Sequence, residues 1–65
     1  MSIQAYAAQA LTEQGIYGAL SEITPNRWQL RGSKDGNGVS LDIEGQPDEA
    51  FIGEAVKVIA KELST

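Results

Sequence analysis

A chain of 65 residues with nine acidic and five basic side chains, a net charge of −4, and neither histidine nor cysteine has few routes to chemistry. The missing residue types remove the commonest catalytic base, the thiol nucleophile, disulfide staples and the usual ligands of structural zinc. At 42% hydrophobic and 22% charged, the composition is that of one small folded domain with no cofactor implied.

A domain this short buries roughly 60% of its unfolded surface, so its stability rests on one apolar core or on self-association. Apolar runs are only a few residues long, which predicts no membrane-spanning helix. The N-terminus lacks the basic and apolar regions of a secretory signal, so a cytoplasmic setting is expected. Charge is unevenly spread. Arg27, Arg31 and Lys34 form a short basic stretch; Asp35, Asp42, Glu44, Asp48, Glu49 and Glu54 follow with no base among them. Brought together, the second group would make an acidic edge.

Residues 2–14 predict a helix, since Ile3, Tyr6, Ala7, Ala10 and Leu11 recur at helical spacing. Ser2 suits the N-cap, with Met1 and Tyr6 placed for a hydrophobic staple. Gly15 suits the position after the last turn, where Ile16 would touch Leu11. Residues 16–24 alternate weakly, diluted by Gly18 and Ser21, and a partly helical segment is the alternative there. Thr24-Pro25-Asn26-Arg27 is a turn. Pairing about Pro25-Asn26 places Ile23 opposite Trp28 and Ser21 opposite Leu30. Tyr17, Ala19, Ser21, Ile23, Trp28 and Leu30 then share the core face, and Leu20, Glu22, Arg27, Gln29 and Arg31 the other.

Residues 32–38 form a glycine-rich hairpin tip, with the turn centred on Asp35-Gly36 or Gly36-Asn37. Residues 39–44 alternate strictly, with Val39, Leu41 and Ile43 inward. Residues 47–63 predict the second helix: Ile52, Ala55, Val56, Ile59, Ala60 and Leu63 form its apolar stripe, widened by Phe51 and Val58. Pro47, Asp48 and Glu49 suit its start, and Lys57 and Lys61 lie toward its end. The predicted fold is α+β, a single αβββα domain: a three-stranded antiparallel meander with two helices on one face.

Ser33 to Glu44 resembles the calcium loop of EF-hand proteins, with Asp35, Asn37, Gly38 and Glu44 at the third, fifth, sixth and twelfth loop positions. It departs where Ser33 replaces a carboxylate and Ser40 an aliphatic, and both flanks alternate as strands, so a plain hairpin turn is expected and no metal site. Asp42 and Glu44 pair on a solvated face with Arg27 or Arg31 as neighbours, and exposed carboxylates make poor general acids or bases at neutral pH. No nucleophile motif occurs, and Gly36 and Gly38 precede no helix, so neither catalysis nor a phosphate loop is expected. Trp28 is expected as a buried anchor, and Tyr6 and Tyr17 at the core edge.

The order α-β-β-β-α across the whole chain resembles the double-stranded-RNA-binding domain. That resemblance implies the topology, and RNA contact through the first helix, a loop between strands and a lysine-rich start of the second helix. Pro47-Asp48-Glu49 puts acid at that last place, so none of those contacts carries over. The function expected is therefore a small acidic non-catalytic module that binds another protein, as an adaptor, inhibitor or assembly factor of the kind phages and mobile elements carry. Its contact residues are Leu20, Arg27, Gln29 and Arg31 on the open sheet face, and Asp48, Glu49 and Glu54 on an acidic edge. The alternatives are a nucleic-acid module using Arg27, Arg31 and Lys34, and a homodimeric scaffold joined at a sheet edge.

Overall fold

Ser2 starts the first helix, α1 (Ile3–Glu13), by accepting the Ala5 N–H on its side-chain oxygen at 3.1 Å. The computed structural model describes residues 2–64, so the staple expected of Met1 lies outside the described residues. At the other end of α1, Gly15 takes φ +73°. Its N–H reaches Thr12 O and the Ile16 N–H reaches Leu11 O, each at 2.9 Å. These are the paired bonds of a Schellman ending, and they turn Ile16 into the core at 3% exposure.

Three strands follow, β1 (Tyr17–Thr24), β2 (Arg27–Lys34) and β3 (Asn37–Glu44), antiparallel and in chain order across the sheet. Residues 17–24 are strand throughout, which excludes the partly helical alternative. Between β2 and β3, Asp35 and Gly36 take φ +52° and +84°, and Lys34 pairs with Asn37, so the hairpin closes on Asp35-Gly36. Trp28 pairs with Ile43, Leu30 with Leu41 and Gly32 with Val39, as the alternation requires.

The pairing of β1 with β2 differs from expectation. Thr24 pairs with Arg27, as a turn at Pro25-Asn26 dictates, but the register then shifts between Glu22 and Thr24. Glu22 pairs with Trp28, Leu20 with Leu30 and Gly18 with Gly32. One extra residue in the ladder exchanges the two faces of everything upstream. Leu20, expected on the open face, is in the core at 4% exposure; Tyr17 and Ile23, expected in the core, are 83% and 56% exposed. Ala19, placed inward by the unbroken alternation, is exposed too.

Helix α2 (Glu49–Leu63) begins two residues later than the sequence suggests. Asp48 is its N-cap, accepting the Phe51 N–H at 2.8 Å, with Glu49 in the first turn and Lys61 in the last. Ile52, Ala55, Val56 and Ile59 are buried, while Phe51 and Val58 stay 52% and 49% exposed. Helix α1 packs on β1 and α2; α2 packs on β3 and β2. A Cβ on Gly53 would meet the Tyr6 hydroxyl of α1 at 3.8 Å, so the flank of α2 that carries Phe51 and Val58 points away from α1. No helix among the described residues is long and apolar enough to cross a membrane.

The helices meet the sheet over bare backbone. A Cβ on Gly32 would stand 2.8 Å from Ile16 Cγ2 and 3.0 Å from Ile59 Cγ2. Gly18, its cross-strand neighbour, is turned so that a Cβ would enter the β2 backbone, 2.9 Å from both the Arg31 carbonyl carbon and the Gly32 Cα. Gly38 has nothing nearer than the Gly32 carbonyl oxygen at 3.9 Å. Gly18→Ala is expected to lose about 1–3 kcal/mol in urea unfolding, and Gly38→Ala to stay within about 0.5 kcal/mol. Leu20→Ala should lose about 2–4 kcal/mol and Tyr17→Ala almost nothing, an order that the unbulged register would reverse.

Candidate interaction face

The side of the sheet away from the helices is built in rows by the two registers. Thr24, Arg27 and Glu44 form one row; Ser21, Gln29 and Asp42 the next; then Ala19, Arg31 and Ser40; and Tyr17, Ser33 and Gly38 the last. In the first row Arg27 Nη2 and Glu44 Oε1 lie 4.0 Å apart with both side chains exposed, so the contact contributes little to stability. This is one of the cross-strand pairs anticipated for these residues.

Arg31 is placed otherwise. Its row neighbours are the methyl of Ala19 and the hydroxymethyl of Ser40, and no ion pair to it occurs among the described residues. Because Ala19, Ser33, Gly38 and Ser40 are small, the surface around Arg31 sinks into an open groove of about 480 Å³, with Tyr17 standing at its end. The register shift creates this neighbourhood, since it is what brings Tyr17 and Ala19 to the arginine side. Tyr17 was not among the contact residues expected from sequence; its signal, alternation with Ile23, pointed inward.

The expected site thus divides. Arg27, Gln29 and Arg31 share the open face, and Leu20 leaves it for the core. The carboxylates expected to form one acidic edge are dispersed. Asp35 is at the hairpin tip, Asp42 and Glu44 are on the open face, and Asp48 caps α2. Glu54 lies on the helix layer, 3.7 Å from Lys57, and it stands five positions after Glu49, which puts those two on different sides of α2. The basic stretch divides as well: Lys34 has the strand parity of Trp28 and Leu30, opposite to Arg27 and Arg31.

Asp35 and Glu44 stand at opposite ends of the region from tip to ladder end, so the Ser33–Glu44 segment is a hairpin turn and a strand rather than a chelating loop. No group of three or more metal-ligating side chains occurs among the described residues. Trp28 is buried at 6% exposure, as expected, and its Nε1 has no hydrogen-bond partner among the described residues. The RNA surface implied by the αβββα order would require base on α1 and at the start of α2; α1 carries none, and α2 starts with Asp48 and Glu49. No family model, curated protein or solved structure matches the chain.

Nothing in the fold depends on the charge of the face. Arg27→Glu and Arg31→Glu, singly or together, are expected to leave unfolding stability within about 0.5 kcal/mol, read from urea midpoints.

Proposed function

We propose that the protein is a non-catalytic docking module that binds another protein through the open face of its sheet, centred on Arg31 and Tyr17. The observation that supports this reading is the Arg31 neighbourhood: a guanidinium with no ion pair among the described residues, on a floor of small side chains, next to a tyrosine that is 83% exposed. Arginine and tyrosine are the residue types that carry most binding energy at protein interfaces. Gln29 and the Arg27–Glu44 pair form a polar margin beside them. An adaptor, inhibitor or assembly factor needs no more than such a face on a rigid support. The cysteine-free chain suits the cytoplasm for that role.

The test is capture from source-cell lysate on immobilised protein, with and without nuclease, comparing the wild type with Tyr17→Ala, Arg31→Glu and, as a control on the outer side of α2, Lys57→Glu. A protein partner that withstands nuclease, falls about tenfold with Tyr17→Ala or Arg31→Glu and is unaffected by Lys57→Glu supports the reading. Capture that disappears with nuclease, or that is equal for all variants, overturns it.

A further inference from the structure

The two edges of the sheet are finished differently. Along β1, α1 lies over the strand and the ladder is broken by the register shift. Along β3, eight residues run without a shift, a proline or a lysine. The hairpin fixes which of their backbone groups are free. The two-residue turn Asp35-Gly36 makes Lys34 and Asn37 a hydrogen-bonded pair, so Val39, Leu41 and Ile43 also bond to β2. The Gly45 N–H, donated to Asn26 O at 2.7 Å, continues the same alternation past the end of the strand. Gly38, Ser40, Asp42 and Glu44 therefore point their N–H and C=O groups out of the sheet edge. No hydrogen bond from another element reaches those backbone groups among the described residues. On the helix side of this row, Val39 and Leu41 are only half-buried, and Phe51 and Val58 occupy the flank of α2 remote from α1. On the open side, β3 carries Asp42 and Glu44 and no basic residue.

We propose that the β3 edge is a binding site for an extended basic segment of another protein. The segment adds antiparallel as a fourth strand, with lysine or arginine at alternate positions and large apolar side chains between them. The alternation of β3 dictates that pattern. Partner residues opposite Ser40, Asp42 and Glu44 lie about 5.5 Å away between Cα atoms and turn their side chains to the open face. Two of them stand directly across from carboxylates, where opposite charge stabilises the pair. The partner residues between them turn under the helices, onto Val39 and Leu41 and toward Phe51 and Val58. Asp42 makes no ion pair among the described residues, and the Glu44 contact with Arg27 is long and exposed, so both carboxylates have capacity for a further cation. The net charge of −4 draws such a segment toward the protein. The same two carboxylates make a second copy of the chain the poorer occupant. Joined β3 to β3, two copies bring all four carboxylates to one junction, and the repulsion falls where the ladder has to form. The edge is guarded against its own kind and open to a basic strand.

This site is separable from the docking face, because Tyr17 lies on β1 at the far edge. The test is fluorescence anisotropy with a short labelled peptide of alternating lysine and isoleucine. It is compared with the same peptide carrying glutamate for lysine, and with one N-methylated on the backbone of its lysines. The expected result is saturable binding of the lysine peptide, about tenfold weaker or lost for the other two. Asp42→Lys should weaken binding about tenfold. Ser40→Pro should abolish it while keeping the fold, because the Ser40 N–H points outward and proline there removes no bond to β2. Glu13→Lys on α1, which changes the net charge equally, and Tyr17→Ala should leave it unchanged. Far-UV circular dichroism confirms that each variant is folded. Sedimentation equilibrium of the chain alone should give the mass of one chain. The absence of saturable binding overturns the proposal, as does equal binding of the N-methylated peptide or indifference to Asp42→Lys and Ser40→Pro. A two-chain mass that Ser40→Pro reduces to one gives the edge to a second copy and overturns it too.

Discussion

Gly32 has no side chain to hold the helices away from the sheet, and the arrangement of the molecule depends on that absence. Ile16 and Ile59 come so near its backbone that a single methyl would displace them. Ile16 reaches this place because the Schellman ending of α1 delivers it there, and Ile59 because the buried stripe of α2 faces the same point. Leu11, Leu30, Ile52 and Ile59 are the largest side chains completely removed from solvent, and Leu11 and Ile59 close directly over Gly32. In a chain with so little interior, one close approach of helix to backbone sets the depth of the whole core.

The parity of β1 sets Gly18 beside Gly32, where a Cβ would enter the β2 backbone, and Leu20 beside Leu30, where it is buried. The register shift between Glu22 and Thr24 reconciles the turn at Pro25-Asn26 with this packing. Its other consequence is on the far side of the sheet, where Tyr17 and Ala19 are turned to stand with Arg31. Core packing and the composition of the open face are two results of one inserted residue.

The helices cover the sheet unequally, and this too is a matter of supply. The alanine-rich α1 sits closely on β1, so α2 must cover what remains of β2 and β3. Its stripe suffices for Leu30 and Ile43 but leaves Val39 and Leu41 half-covered and Phe51 and Val58 beyond the edge.

Much of this was legible in the residues because it is local. The cap at Ser2, the left-handed Gly15, a hairpin turn at Gly36, the alternation of β3 and the central stripe of α2 are each decided within about five neighbouring residues, and each is found where the pattern places it, whereas Asp48 takes the cap of a helix expected to begin at Pro47. The order of elements and the side on which Trp28 and Leu30 lie follow from these. What residues 17–24 do was not legible, since a bulge leaves no mark in a segment diluted by Gly18 and Ser21, and period-two reading carries its error back to the start of the strand. Nor could a run of carboxylates disclose that its members would part to the hairpin tip, the open face and a helix cap. The sequence by itself determined the elements and their order, through contacts a few residues apart. Only the tertiary structure decided which face of β1 is buried, because Leu20 is covered by core residues from elements distant along the chain, and no neighbouring residue reveals that.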